Sequence, residues 1–242
     1  MRVTAAVRFR VTGAAAMLSH AEISRVFQRA CSRADIPVRY SEGFNPHPRL
    51  SLPLPRPVGV ESDDELLVAR LCEDPTSGSV GDWAESEAVM MRALAGQLPE
   101  GIEVFAVTLS APNASFQARS AEYVLPVRID LPPGLMVRLE ERIAGVMASE
   151  HCVIERVSGD GKAARSVDVR PFLRSIRLEA GTLIVEHTTG DAGSIRVDEI
   201  LRLLDLRMED LAGPVRRVNV VWETTRLQNA AQQPRPDGGA EE

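Results

Sequence analysis

The sequence predicts an α+β fold made of two tandem ferredoxin-like units, each an antiparallel sheet with helices on one face. Three observations predict it: strand-like alternation over residues 3–11, a capped helix directly after it, and an order of elements that recurs later in the chain. We place the units at residues 1–111 and 117–225, and we expect residues 226–242, rich in Gln, Pro and Gly, to be a disordered tail.

The first unit is predicted as strand, helix, strand, edge, strand, helix and strand. After the first helix, the predicted strands are residues 38–41, 65–72 and 102–109, with an extended edge around Leu50 to Leu54. Pro53 and Pro55 interrupt that edge, and proline cannot donate to a ladder, so the segment is expected at the border of the sheet. A second helix is predicted to start at Asp82 and to end before Pro99.

A similar order is predicted after the small and polar residues 110–115. The predicted elements are a strand at 122–129, a helix from 133, a hairpin of 152–157 and 164–169 around a turn at 159–161, two strand legs in 175–188, a helix at 194–204 and a strand at 215–222. No residue-level repeat is visible, so the duplication depends on element order alone.

The first helix has a clear start. Ser19 is a good N-cap and Glu22 follows three residues later, which is the spacing of a capping box. His20 therefore lies in the first turn of the helix, a location that suits recognition or catalysis better than core packing.

The segment after this helix predicts a rigid loop. Pro46 and Pro48 fix their own φ angles and push Asn45 and His47 toward extended conformations. Gly43 supplies the freedom for a sharp turn. We expect this loop to present His47 with little loss of entropy.

These residues resemble a known family. Ser19-His20, Arg33, the segment Tyr40–Pro48 and the segment Gly59–Ser62 are similar to the radical-SAM-linked domain family (DUF2344). The family usually has Leu-Asp where this chain has Ala21-Glu22. The resemblance implies a radical SAM protein with a cobalamin-type module as a partner, and it implies no activity for the domain itself.

Composition and charge narrow the class of protein. No apolar run is long enough to span a membrane and no secretory signal is visible, which predicts a cytoplasmic protein without a membrane partner. The net charge is −6, yet the first 60 residues hold nine arginines and three carboxylates, a local net of +6, so the remainder carries −12. This asymmetry predicts an anion-binding surface in the first half, unless the arginines are scattered in solvent.

The favoured hypothesis is a recognition or adaptor module that acts with a radical SAM partner or on RNA. Only 4% of the residues are aromatic, which argues against a platform of several stacking rings. The predicted binding residues are Ser19, His20, Arg29, Arg33, Tyr40, Ser41, Phe44, Asn45, His47 and Arg49.

Two other hypotheses use the same histidines. In an RNA-processing or RNA-modifying enzyme, His20 and His47 would be a catalytic acid/base pair, which requires both to reach one substrate. In a metal site, they would be joined by Glu22 or Glu42. The alternative is that both histidines are structural. The sequence has no phosphate-binding glycine loop and no cysteine cluster, so we predict no cofactor.

The remaining histidines have no supporting pattern. His151 and His187 are interpreted as structural. The segment Asp168–Pro171 weakly resembles an element of the same family, in which Asp168 and Arg170 could form an ion pair or a site contact of the second unit. A turn at Pro171 is a sufficient interpretation of this segment.

Overall fold

The computed structural model describes residues 2–72, 83–128, 134–156, 164–190 and 193–226. Over these residues the chain has a mixed α+β fold, mostly antiparallel sheet with four α-helices, which confirms the predicted fold class at this level. Among the described helices, none is long and apolar enough to cross a membrane. Of the predicted tail, residues 227–242 lie outside the described part of the chain, as does the predicted turn at 159–161.

The N-terminal half places two helices on one face of a four-stranded antiparallel sheet. Its elements are β1 (Val3–Val11), α1 (His20–Arg33), β2 (Leu50–Ser51), β3 (Glu61–Leu71), α2 (Ala84–Ala95) and β4 (Ile102–Ser110). The strand order is β4-β1-β3-β2. Alternate residues of β1 face the helices, and Phe9 meets Phe27 of α1 edge to face at 4.6 Å between ring centroids.

The C-terminal half repeats this layering. Its elements are β5 (Ala114–Pro126), α3 (Leu135–Ala148), β6 (Val153–Arg156), β7 (Arg165–Asp168), β8 (Leu173–Glu179), β9 (Thr182–Thr188), α4 (Val197–Leu203) and β10 (Arg216–Arg226). The main strands are ordered β10-β5-β9-β8, and β6 and β7 form a separate hairpin. A second core joins α3 and α4 to one face of this sheet.

The two sheets are joined, which corrects the prediction of separate antiparallel sheets. β3 and β10 pair in parallel, with Glu61 opposite Arg216 and Ser62 opposite Arg217, so eight strands form one sheet. The reason lies in the length of the strands. β2 pairs only with residues 68 and 69 of the longer β3, which leaves backbone groups at the start of β3 for β10 to bond.

Several predicted boundaries were wrong for related reasons. The predicted strand 38–41 is reduced to isolated bridges at Val38 and Tyr40, because the chain leaves the sheet edge there. β5 begins at Ala114, well before the predicted residue 122, since its polar first half pairs with β10. The second helix begins after Trp83, and its predicted cap Asp82 lies outside the described residues.

Gly101 docks the turn before β4 against the end of β1. It has φ +84°, its carbonyl accepts from Thr12 N at 2.8 Å, and a Cβ would lie 2.5 Å from the Thr12 carbonyl oxygen. We expect Gly101→Ala to lower the free energy of unfolding by about 2–3 kcal/mol, from left-handed strain plus overpacking. Urea denaturation measures the loss.

Gly134→Ala is the matched control for this prediction. Gly134 has φ +83° but open space around its Cβ position, so it experiences the strain without the clash. Its loss should be about 1 kcal/mol. If both variants lose the same free energy of unfolding, the backbone at Thr12 shifts to accommodate the added methyl group and the predicted clash is absent.

Candidate functional site

The start of α1 is capped as predicted. Ser19 Oγ accepts from Glu22 N at 3.3 Å, while Glu22 Oε2 accepts from Ser19 N at 2.8 Å and from Ser19 Oγ at 2.7 Å. These hydrogen bonds hold the pKa of the Glu22 carboxyl below its usual value. Both side chains are therefore used by the helix cap.

His20 is exposed and borders a small cavity on the helix side of the sheet. The cavity has a volume of about 10 Å³, enough for about one water. It is lined by Phe9, Val11, His20, Ile23, Leu52, Leu54, Arg56 and Glu65, with no residue from the 40–49 loop. The charged residues that line this cavity together with His20 are Arg56 and Glu65.

The segment Tyr40–Arg49 is an excursion from the sheet edge. A bridge between Tyr40 and Pro48 closes its base. Inside the loop, Ser41 N donates to His47 O at 2.8 Å and His47 N donates to Ser41 Oγ at 2.9 Å. Gly43 has φ +125°, which lets the tip turn back. The loop is therefore held by its own backbone, and the Ser41 hydroxyl is part of that support.

The tip of this loop presents an aromatic ring to solvent. Phe44 is fully exposed at 110% and Tyr40 is 52% exposed. Asn45 and His47 are exposed as well. The loop thus offers one apolar ring and several polar groups from a supported backbone.

The two histidines of the predicted pair are attached at different levels of the sheet. The cavity beside His20 lies at Glu65 of β3, whereas the loop is bonded to Arg70 of β3. Five residues of strand separate these levels, which is roughly 16 Å at the usual rise. The acid/base pairing of His20 with His47 stays a prediction, and none of the contacts described above joins the two rings.

Arg29 and Arg33 belong to a different surface from the loop. They line a cleft of about 460 Å³ between α1 and residues 96–99. The Arg33 guanidinium donates to the side-chain and backbone oxygens of Gln97 at 3.1 and 2.7 Å. Arg33 thereby ties α1 to the end of α2.

A metal site gains no support from the described donors. Within the described ranges, no three His, Cys, Asp or Glu side chains are grouped closely enough to hold a metal ion. Of the predicted carboxylates, Glu22 is committed to the helix cap and Glu42 lies 4.0 Å from Arg39.

A buried polar network, which the sequence interpretation missed, links the two halves. Arg217 of β10 is 1% exposed and donates to Glu65 Oε1 at 2.5 Å and to the carbonyls of Leu54 and Pro55. Tyr123 lies close enough to Arg217 to interact with it electrostatically, and the Tyr123 ring stacks on the His187 ring with 4.8 Å between the centroids. A signal for this network was the arginine pair 216–217 at the start of an apolar strand.

Asp168 pairs with His151, and the optional ion pair between Asp168 and Arg170 does not form. His151 Nδ1 lies 2.7 Å from Asp168 Oδ2, and Asp168 Oδ1 accepts from the backbone N–H groups of Cys152 and Arg170. The hydrogen bond with His151 contributes most to lowering the pKa of the Asp168 carboxyl, and the two backbone hydrogen bonds lower this pKa further. The Arg170 guanidinium donates instead to backbone carbonyls, including Met147 at the end of α3.

Comparisons with known proteins identify a family for this chain but no activity. A family model described as "Uncharacterized protein conserved in bacteria (DUF2344)" matches residues 5–197. No curated protein matches the chain. The ligand-free regulatory subunit of aspartate kinase from Thermus thermophilus is 12% identical over 84% of this chain and 90% of that chain, with a TM-score of 0.23. A likeness at that TM-score carries no argument about fold or function.

Proposed function

Since the chain belongs to the family of uncharacterized proteins conserved in bacteria (DUF2344), which assigns no activity, we propose from its own surface that it is a recognition module for single-stranded RNA. The binding element in this proposal is the loop Tyr40–Arg49. It would hold an unstacked base against its exposed ring and nearby phosphates with arginine.

The observation that carries the proposal is the position of Phe44. A phenylalanine side chain left in water forgoes roughly 2 kcal/mol of burial free energy, so a fully exposed ring at a loop tip is suited to a partner. The hydrogen bonds between Ser41 and His47 hold the loop before any ligand arrives. Binding would then lose little conformational entropy.

The chemistry around the ring suits RNA. Unstacked bases stack on single aromatic side chains and are read through their edges by polar groups such as those of Asn45 and His47. Arg49, exposed at the base of the loop, offers the forked donors that match phosphate oxygens. One ring with flanking polar groups also agrees with the low aromatic content of the chain.

The proposal also includes two ferredoxin-like units, a cytoplasmic location and a radical SAM partner. Within each half, the strands are ordered fourth, first, third and second when the β6–β7 hairpin is set aside. This order supports two ferredoxin-like units, predicted at residues 1–111 and 117–225. We extend the second unit to residues 114–226, because β5 begins at Ala114 and β10 ends at Arg226. A cytoplasmic location and a radical SAM partner remain predictions from the sequence and its family resemblance.

The test is binding of a labelled ten-nucleotide oligouridylate to the full chain, measured by fluorescence anisotropy. Phe44→Ala is expected to weaken binding roughly 5- to 150-fold, the equivalent of about 1–3 kcal/mol for one stacked base. Val137→Ala is the matched control, since Val137 is exposed on α3 and is also apolar. Its affinity should equal that of the wild type.

Two results would contradict the proposal. One is the absence of RNA binding at micromolar protein, and the other is equal affinity for wild type and Phe44→Ala. The same mixtures are analysed for RNA length, because cleavage that is lost in His20→Ala and His47→Ala would favour the acid/base enzyme instead.

A further inference from the structure

Three arginines of the N-terminal half meet at one level of the sheet edge. Arg39 N donates to Arg70 O at 2.6 Å, Arg49 N donates to Arg39 O at 2.7 Å, and Arg70 N donates to Arg49 O at 3.0 Å. The three backbones thus close a ring of hydrogen bonds at the base of the Tyr40–Arg49 loop. We call Arg39, Arg49 and Arg70 the arginine row.

The side chains of the arginine row point to the face of the sheet that lies opposite α1 and α2. Their strand neighbours Val38, Leu50 and Leu71 pack into the core on the helix side. Successive residues of extended backbone alternate between faces, so the arginines project to the opposite one. There, Arg70 Nη1 donates to Thr4 Oγ1 of β1 at 2.6 Å.

The arginine row has an excess of positive charge. Glu42 is 4.0 Å from Arg39, and its side chain is 92% exposed, so this contact is a weak surface pair. Burial, and then the charge of Arg49, lower the pKa of Arg70. Like charges placed directly opposite each other destabilise a sheet, and a bound anion would remove that repulsion.

Three other arginines of the basic N-terminal region are already engaged by neighbouring groups. Arg8 is bonded to Asp64, and Arg33 to Gln97. The guanidinium of Arg56 is buried among the carbonyl oxygens of Ala16, Leu18 and Val60. Within the described part of the chain, Arg39 and Arg49 of the basic first 60 residues lack such a strong partner, and strand pairing places Arg70 beside them.

We propose that the arginine row is a phosphate-binding subsite that holds the RNA backbone next to the base stacked on Phe44. This inference rests on the proposed function for the identity of the ligand as RNA. Phosphate binding by the arginine row does not itself require a nucleobase, so it can be tested separately. The three guanidinium groups project from neighbouring backbone segments on one face of the sheet, and their forked N–H donors suit phosphate oxygens. The subsite uses neither Arg29 nor Arg33.

The experiment compares wild type with the double variant Arg49→Gln/Arg70→Gln in two titrations. With the ten-nucleotide RNA, the slope of log affinity against log salt should fall by about 0.7 for each arginine removed. With tripolyphosphate, which has no base, calorimetry should show binding weakened at least about tenfold. The control variant Arg174→Gln/Arg202→Gln removes an equal charge from exposed positions of the C-terminal half and should change neither titration.

Each outcome separates this inference from the proposed function. Unchanged salt slope and unchanged tripolyphosphate binding in the double variant overturn the subsite. If RNA binding requires Phe44 but the double variant keeps the wild-type slope of log affinity against log salt, the subsite is overturned and the proposed function is not. The wild type could bind tripolyphosphate but no RNA, and the double variant could lose the tripolyphosphate binding. That result supports the subsite and overturns the RNA proposal.

Discussion

Glu65→Ala is expected to lower the free energy of unfolding by about 3–5 kcal/mol, because it leaves the buried guanidinium of Arg217 without its counter-charge. The two side chains are 5% and 1% exposed and lie 2.5 Å apart. The remaining partners of Arg217 are neutral oxygens, including the carbonyls of Leu54 and Pro55. Urea denaturation followed by circular dichroism measures the loss.

A surface pair provides the control for this prediction. Arg10 and Glu103 are 3.3 Å apart with side chains 46% and 67% exposed, so Glu103→Ala should lose less than about 1 kcal/mol. The double variant Glu65→Leu/Arg217→Met should recover most of the stability lost by Glu65→Ala, since apolar replacement removes the charge along with its partner. A loss for Glu65→Ala no larger than for Glu103→Ala would contradict the prediction.

His187→Phe is expected to make the protein less sensitive to acid. Burial lowers the pKa of His187 from 6.5 to about 4, aided by the charge of Arg217 and opposed by the Thr188 carbonyl and Glu186. As pH falls below 6.5, the unfolded chain takes up the proton first, so stability declines until the folded imidazole also titrates near pH 4. The decline attributable to this group is roughly 3 kcal/mol.

The measurement is the free energy of unfolding from pH 7.5 to pH 4 for wild type and His187→Phe. Phenylalanine preserves the stacking on Tyr123 and removes the Nε2 atom that has no hydrogen-bond partner. The two proteins should differ by less than about 1 kcal/mol at pH 7.5, and the variant should be the more stable at pH 4. Parallel pH profiles would contradict the burial of a neutral imidazole.

The predictability of the candidate site differs from residue to residue. The capping pair Ser19–Glu22 was predictable, because the spacing of a capping box is local and its hydrogen bonds need no distant partner. The exposed, proline-braced loop was predictable for the same reason. Arg39 and Arg70 were not singled out, since only strand pairing brings them beside Arg49.

The fold shows the same division between local and distant causes. Alternation over Val3–Val11 and helical spacing after Ser19 predicted β1 and α1 closely, since each depends on one periodicity within one segment. The start of β5 at Ala114 was missed, because its polar first half is a strand only while β10 lies beside it.

The sequence by itself determined the α+β class, the helix cap and the stiff loop, all of which follow from periodicity, capping and proline geometry between near neighbours. Only the tertiary structure decided that β3 and β10 join the halves, that Glu65 and Arg217 pair between them, and that three arginines share one edge. The physical reason is that such contacts depend on which strand edges remain unpaired after each half has folded. No pattern among residues close together in the sequence indicates which strand edges these are.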